Sequence, residues 1–308
     1  MNKPAHLAEI WPLVIDKVAD HLSRAGAPVV TAYEMGAQVF LALHSAGVRP
    51  GREAFNQVLR HLQAIKLISP HKDFADGAVF SLFGQPNPDV RAIACTVDPF
   101  AYITHLSAME FHGLTDRFPK ILYLCSPSFR EWRRHAEHRM AHDLGEAVRA
   151  YRGARFPLPG KPAFRRIAGT VVQVLDRSKQ GAFKMIKGSP LRVATVGRTF
   201  LDMLREPQDC GGMQHVLDIY KASAPRYLTL IVDEVDRNGT GIDKVRAGYV
   251  LTDLCGLAHP TIKDWERFAQ RGGSRKLDPN AEYASDFSAR WKLSLNVPSL
   301  QSGSGQHG

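Results

Sequence analysis

The sequence predicts an α+β fold, in which a small N-terminal domain precedes a larger mixed domain. Two helical patterns and two short apolar strands occupy residues 31–83, and a run of turn-forming residues comes directly after them. Beyond residue 90, short strands are followed by a block of helical patterns, which is typical of an α+β domain and not of a doubly wound sheet. We therefore predict domains at 1–84 and 90–298 and a flexible Gly/Ser-rich tail at 299–308.

Two helices are predicted at the centre of the first domain. Thr31 suits an N-cap and Glu34 suits the third helical position, so the two residues have the form of a capping box. The helix that they open is predicted to run to Ser45, because Gly47 suits the left-handed position after a helix. After a Pro-Gly break, a second helix is predicted from the spacing of its apolar residues, Phe55, Val58, Leu59, Leu62 and Ile65.

A hairpin is predicted after the second helix. The apolar segments Leu67-Ile68 and Val79–Leu82 lie on either side of a polar turn that contains Asp-Gly. Helix, turn, helix and hairpin in this order are typical of a winged helix-turn-helix, whose second helix enters the major groove of DNA. The sequence therefore predicts that residues 1–84 bind DNA.

The polar face of the second helix carries side chains that can read bases. Arg52, Asn56 and Arg60 are spaced four residues apart, opposite the apolar stripe, and Gln57 and Gln63 flank them. Arginine pairs with guanine through two hydrogen bonds, and asparagine or glutamine pairs with adenine in the same way. We predict that these five residues contact DNA. The alternative is an ordinary solvated helix face, which carries the same residue types.

The tip of the predicted hairpin carries His71 and Lys72. A wing of this kind can touch phosphate or the minor groove, so both residues are predicted DNA contacts. Asp73 and Asp76 stand nearby and oppose this interpretation, because their charges repel phosphate.

Strands and helices alternate less regularly in the second domain. Ranges rich in β-branched and aromatic residues predict short strands at 121–124, 170–175, 182–186 and 191–194, and a closing strand at 290–295 that returns to the sheet. Apolar periodicity predicts helices at 99–112, 196–205, 212–222, 226–237, 242–254 and 261–270.

The chain is basic, with a formal net charge of +10 and a pI near 9.6, which favours a polyanionic partner. Residues 1–84 are nearly balanced, with 8 Lys and Arg against 7 Asp and Glu, whereas residues 85–180 carry 15 against 9. We predict that Arg130, Arg133 and Arg134 contact the phosphate backbone without adding sequence information. A solvated basic surface with no partner is the alternative.

Four widely separated cysteines and the absence of an apolar run indicate a cytoplasmic protein without a membrane span. Cys95, Cys125, Cys210 and Cys255 form no Cys-x-x-Cys pair, and reduced cysteines of this kind are typical of cytosolic proteins. No stretch approaches the roughly 18 apolar residues of a membrane helix, and the N-terminus lacks the build of a secretory signal.

No catalytic or metal-binding motif is evident, so we predict a binding protein, not an enzyme, and no cofactor. The sequence has no Walker loop, nucleophile elbow or zinc-protease helix. His135, His138 and His142 share one helical face, but neighbouring arginines would repel a cation, and an extended basic surface is the favoured interpretation.

Four segments of the remaining chain resemble, in order, the signatures of the AbiEi family. A helix ends at Gly113-Leu114, Arg198-Thr199 opens a Leu-Asp helix, an Arg-x-Gly-Tyr helix follows, and a Trp-containing strand closes the domain. The resemblance is carried by residues 102–114, 193–204 and 245–251, and by 277–279 together with 290–296 as the fourth segment. The chain departs from the pattern at Gly197, where the family often has an acidic residue.

This resemblance implies an antitoxin of a type IV toxin–antitoxin system, which acts in abortive infection as a defence against phage. An N-terminal winged helix would repress its own promoter at inverted repeats, and the C-terminal domain would serve repression and antitoxicity. The toxin would be a nucleotidyltransferase that the antitoxin counters without a stable complex.

Three alternatives to this function stay open. The first is a stand-alone winged-helix regulator whose C-terminal domain senses a ligand or partner. The second makes the C-terminal domain a nuclease or RNA-modifying enzyme that uses Asp233 or Glu234. In the third, the basic middle region binds RNA.

Overall fold

The structure is a computed structural model of the chain, and it describes residues 4–24, 26–84, 88–270 and 275–301. The α-helices of this part are α1 Pro4–Arg24, α2 Ala32–Ser45, α3 Arg52–Ala64, α4 Val90–Val97, α5 His105–Phe111, α6 Phe129–Leu144, α7 Val148–Gly153, α8 Val196–Arg205, α9 Met213–Asn238, α10 Gly241–Tyr249 and α11 Pro260–Asp264. The strands are β1 Val29–Thr31, β2 Ile68–Pro70, β3 Val79–Leu82, β4 Tyr102–Ile103, β5 Ile121–Pro127, β6 Arg166–Ile167, β7 Thr170–Arg177, β8 Phe183–Met185, β9 Arg192–Ala194, β10 Phe287–Ser288 and β11 Leu293–Ser294. The α+β class is therefore confirmed.

Contacts between residues divide the chain into two units, each built from several segments. The first unit contains residues 1–102, 124–180 and 185–192, and the second contains 103–123, 181–184 and 193–308. The predicted boundary after residue 84 thus falls inside the first unit, although Gln85, Pro86 and Asn87 lie outside the described residues. Most of the predicted tail, from residue 302 onwards, also lies outside them.

The N-terminal part of the first unit has the predicted helices and hairpin. Thr31 Oγ1 accepts a hydrogen bond from the Glu34 amide, and the Glu34 carboxylate accepts from the Thr31 amide at 3.0 Å, which confirms the capping box. Gly47 adopts the left-handed conformation with φ +70° directly after the α2 cap. β2 and β3 form the expected hairpin, and β1 extends it to an antiparallel sheet in the order β1-β3-β2.

The apolar core of the first unit includes side chains from both of its longer segments. Phe40 and Leu43 of α2 belong to the same buried cluster as Met140 of α6 and the later aromatic residues Tyr151 and Phe156. The Phe40 and Phe156 rings meet edge to face, with centroids 5.5 Å apart. Because residues 140–156 complete this core, the contacts of the chain group them with residues 1–84.

The largest sheet in the described part has six strands in the order β6-β7-β5-β4-β9-β8. β6 and β7 are antiparallel, with Ile167 paired to Thr170, and β4 and β9 are parallel, with Ile103 paired to Val193. Strands were predicted at four of these positions, namely those of β5, β7, β8 and β9, and all four are confirmed.

The core of the second unit lies around α8, α9 and α10. Arg198 Nη2 and Asp202 Oδ1 are 2.8 Å apart in a buried ion pair, as the i, i+4 spacing predicts. A Cβ on Gly197 would lie 2.3 Å from the Leu230 carbonyl oxygen, so a residue with any side chain would clash there. This close approach explains why an acidic residue is absent from position 197.

Predicted elements in three regions of the chain differ from the structure. Residues 99–112 contain β4 before α5, because Thr104 has an extended backbone and only His105 onward is helical. The helices predicted at 212–222 and 226–237 form one helix, α9, which contains Pro225. The closing strand does not return to the large sheet, since β11 pairs with β10 in a separate two-stranded sheet.

No helix in the described residues is long and apolar enough to cross a membrane. The four cysteines are all free thiols, and three of them are buried.

Candidate nucleic-acid interface

Helix α3 separates its apolar and polar side chains onto opposite faces. Its core face consists of Phe55, Val58 and Leu62, which are all buried. The predicted base-reading residues lie on the other side, where Arg52, Asn56, Gln57 and Arg60 are exposed and Gln63 is partly buried. Ile65 was predicted on the core face but is 53% exposed, because it follows the last helical residue and leaves the helical periodicity.

The exposed face of α3 has a shallow concave surface. Arg52, Glu53, Asn56, Leu59 and Arg60 line it. Arg60 Nε donates to the Asn56 carbonyl oxygen at 3.3 Å, and the two terminal nitrogens of its guanidinium take no part in this bond. The structure therefore brings the three residues of the predicted i, i+4, i+8 row together on one accessible surface, with one carboxylate among them.

The turn between α2 and α3 sets the direction of α3. The Val48 amide donates to the Leu43 carbonyl at 3.0 Å, and the Phe55 amide donates back to Gly51, where α3 begins. Arg49 lies in this turn and is exposed. Sequence analysis did not single out Arg49, although its position just before the predicted second helix of a helix-turn-helix was a usable signal.

The hairpin tip presents only one of its two predicted contacts to solvent. Lys72 is exposed, whereas the His71 side chain is 9% exposed and packs edge to face on Phe74, with ring centroids 5.1 Å apart. His71 Nδ1 accepts a hydrogen bond from the Asp73 amide at 3.3 Å. Burial lowers the pKa of His71, so the imidazole is neutral near pH 7 and adds no positive charge to the tip.

Residues from the 124–180 segment of the first unit hold the hairpin in place. Asp73 Oδ2 accepts a hydrogen bond from the Ala168 amide at 2.7 Å, and the Phe74 ring lies edge to face with Phe164 at 6.2 Å. The Asp73 carboxylate, which opposed phosphate binding in the sequence, thus has a structural role.

Helix α6 carries the three predicted phosphate contacts. Arg130, Arg133 and Arg134 are all exposed, and Trp132 on the opposite face is buried. The Trp132 indole donates to a buried carboxylate, Asp98 Oδ1, at 2.9 Å, which fixes the rotation of the helix.

The three arginines differ in how far their charge is already paired. Arg134 forms an ion pair with Glu131 at 2.5 Å, one turn away on the same helix. Neither Arg130 nor Arg133 makes a hydrogen bond or ion pair with any described residue. These two guanidinium groups are therefore the side chains of α6 that are most available to phosphate.

Arg139 belongs to the same basic stretch of sequence but faces the interior. Its Nη2 contacts Glu34 Oε1 at 2.7 Å, and its guanidinium carbon lies 5.6 Å from the centre of the Tyr33 ring. Burial acts to lower the pKa of Arg139, but the charges of Glu34 and Asp143 outweigh it and raise the pKa. This ion pair connects α6 to the capping box of α2, a contact that the sequence analysis did not foresee.

The three histidines of α6 do not form a metal site. Within the described ranges, no group of three or more His, Cys, Asp or Glu side chains is arranged to hold a metal ion. His135 packs against Phe100 with ring centroids 5.4 Å apart, whereas His138 and His142 are exposed.

The two carboxylates of the enzymatic alternative have different environments. Asp233 is exposed, and Glu234 is buried with its Oε1 atom unbonded. Burial raises the pKa of Glu234, and the nearby Arg198 charge acts in the opposite direction. The pair does not converge on one site in the structure.

In comparisons with known proteins, no protein-family model and no curated protein matches the chain.

Proposed function

We propose that α2, α3 and the β1-β3-β2 sheet form a winged helix-turn-helix, and that the protein is a DNA-binding regulator of its own promoter. The observation that carries this proposal is the exposed face of α3, where Arg52, Asn56 and Arg60 lie side by side. These groups are the donors and acceptors that base edges in the major groove require. In this proposal the adjacent hairpin, with Lys72 exposed at its tip, would serve as the wing.

The exposed arginines of α6 support a second, sequence-independent contact. Arg130 and Arg133 offer two charges that are unpaired within the described part of the chain, and phosphate contacts of this kind add affinity without specificity. We therefore propose double-stranded DNA as the partner, bound at inverted repeats.

The antitoxin role is the second step of the proposal. Its support is the resemblance of four ordered sequence segments to AbiEi antitoxins, together with the buried Arg198–Asp202 pair and the close-packed Gly248 that two of these segments contribute. The protein would then act in the cytoplasm without enzymatic activity or cofactor. It would counter a nucleotidyltransferase toxin without a stable complex.

Co-expression tests this second step. The toxin encoded beside this gene should arrest growth when expressed alone, and this protein should restore growth. A chain that binds its promoter but fails to restore growth would support the stand-alone regulator instead. That alternative also has an observation in its favour, namely a cavity beside α2.

Fluorescence anisotropy on the upstream DNA of the gene tests the first step. Wild-type protein should retain its binding in the presence of scrambled competitor DNA, and affinity should fall as salt rises. Asn56→Ala and Arg60→Ala should each cost about 1–3 kcal/mol of specific binding. Arg237→Ala, at an exposed arginine of α9, is the matched control and should leave the affinity unchanged. Equal binding to scrambled DNA by wild type would refute sequence-specific recognition by α3.

A further inference from the structure

The first unit contains a cavity of about 510 Å³ that is separate from the exposed face of α3. Side chains of α1, α2, α4 and α6 line it, together with Pro190 and Arg192. Its apolar walls include Leu22, Val29, Leu41 and Leu82. A volume within roughly 300–1,000 Å³, with apolar walls and a few polar groups, is typical of small-molecule sites.

The carboxylates that line the cavity are already occupied by protein donors. Glu34 Oε1 accepts from Arg139 at 2.7 Å, and its Oε2 accepts from the Thr31 amide at 3.0 Å. Asp143 Oδ2 accepts from the Tyr33 hydroxyl at 2.9 Å. Because these oxygens and the Arg139 guanidinium satisfy one another, they offer little to a ligand.

Two other lining side chains have donors that the protein does not fully use. Arg192 donates from Nε to Ala101 O and from Nη2 to both Cys95 O and Asp98 O, but its Nη1 has only a long contact of 3.4 Å to Pro190 O. No carboxylate in the described residues lies within ion-pair distance of Arg192. The Gln38 amide likewise has no hydrogen bond to any described residue.

We propose that this cavity binds a small organic anion with an apolar body. Its carboxylate or phosphate group would accept hydrogen bonds from Arg192 Nη1 and the Gln38 amide, and its apolar part would lie against Leu22 and Leu41. A hydrogen bond from a guanidinium to an anion is shorter and stronger than one between neutral groups, so Arg192 selects for negative charge.

The position of the cavity gives the ligand a route to α3. Gln38 and Leu41 belong to α2, which precedes α3 and shares its core. A ligand that binds one arrangement of these helices more tightly than another shifts the population towards it. This regulatory consequence rests on the proposed function, whereas the binding site itself does not.

Titration with a fluorescent anion tests the site without DNA. The probe is 8-anilino-1-naphthalenesulfonate, and its uncharged counterpart is N-phenyl-1-naphthylamine. Wild-type protein should bind the anion saturably at one site per chain, and Gln38→Trp, which removes the amide and places a larger ring in the cavity, should weaken binding about tenfold or more. Gln173→Trp, at an exposed position of β7, is the matched control and should bind like wild type. Equal affinity of Gln38→Trp and wild type, or no saturable binding, would overturn the site.

A second variant tests the preference for negative charge. Arg192→Met should weaken binding of the sulfonate about tenfold and leave binding of the uncharged counterpart unchanged. Circular dichroism and thermal unfolding check that the variant folds, and if it does not, the comparison of the two probes on wild type decides the charge preference. Equal affinity for the two probes would overturn the anionic class.

Fluorescence anisotropy on the upstream DNA, measured with and without the sulfonate, tests the regulatory consequence separately from the binding site. A changed DNA affinity would support regulation, and an unchanged affinity with saturable dye binding would refute regulation alone. A protein that binds the dye but no specific DNA would refute the proposed function and leave the site in place.

Discussion

At Gly36, α2 closely approaches α7 and the segment that follows α7. A Cβ at this position would lie 2.7 Å from Tyr151 Oη and 3.0 Å from Pro157 Cδ. Tyr151 is fully buried, and its hydroxyl donates to the Pro157 carbonyl at 2.6 Å, so the ring has little freedom to move away. Gly36→Ala therefore tests whether residues 151–157 pack on α2.

The expected effect of Gly36→Ala is the difference between two opposing contributions. Alanine in a helix interior is favoured over glycine by about 1 kcal/mol. Ordinary contact begins near 3.4 Å, so the Tyr151 hydroxyl must shift by roughly 0.7 Å, and overpacking of this kind costs about 1–3 kcal/mol. We expect Gly36→Ala to lower the free energy of unfolding by about 0–2 kcal/mol.

Urea denaturation of four variants, one of which is Tyr151→Phe alone, measures this effect and its cause. Gly153→Ala is the matched control, because an added Cβ there meets no atom within 4 Å and should stabilise the chain slightly or leave it unchanged. Gly36→Ala combined with Tyr151→Phe removes the clashing oxygen and should show a favourable coupling of at least about 0.5 kcal/mol. If Gly36→Ala stabilised the protein as Gly153→Ala does, the packing of residues 151–157 on α2 would be refuted.

Two further predictions concern acid stability and salt. Burial lowers the pKa of His71 in the folded state, so the unfolded chain binds more protons as pH falls, and this contribution to stability is complete above about pH 6.5 and lost below it. The urea midpoint should decrease when the pH is lowered from 7.5 to 5.5. The variant His71→Gln should show a smaller decrease, which leaves the part due to His112 and His215, whose pKa values are also lowered. The same pH profile for His71→Gln and wild type would contradict this. Arg133→Ala should weaken binding to specific and scrambled DNA alike and reduce the slope of log K against log salt by about 0.9. An unchanged slope would remove α6 from the interface.

Local sequence signals predicted the elements that depend on neighbouring residues. α2 and α8 begin and end where the sequence indicates, and at their starts the side chains of Thr31 and Thr195 accept hydrogen bonds from the first turns. The polar face of α3 could be predicted from the helical periodicity of its residues, which is also a local signal. Helical spacing alone places Arg52, Asn56 and Arg60 together.

Elements and contacts that depend on distant residues could not be predicted in this way. Pro225 indicated a break in sequence, yet α9 continues through it, with Ala224 and Ile231 buried on either side against the core of the second unit. The prediction that the closing strand joins the large sheet was wrong for a similar reason, since local propensity does not determine which sheet a strand joins. Arg139 and Glu34, which form an ion pair beside the proposed ligand cavity, are 105 residues apart.

The division of the first unit into separate segments has a consequence during synthesis of the protein. Helices α2 and α3 leave the ribosome well before Tyr151 and Phe156, which complete their core. At about 5–20 residues per second, roughly 4–14 s pass between residue 84 and residue 156. During that interval the nascent helices expose apolar surface that is buried in the finished protein. A fragment ending at residue 84 would keep this surface exposed permanently, so DNA-binding tests should use the full chain.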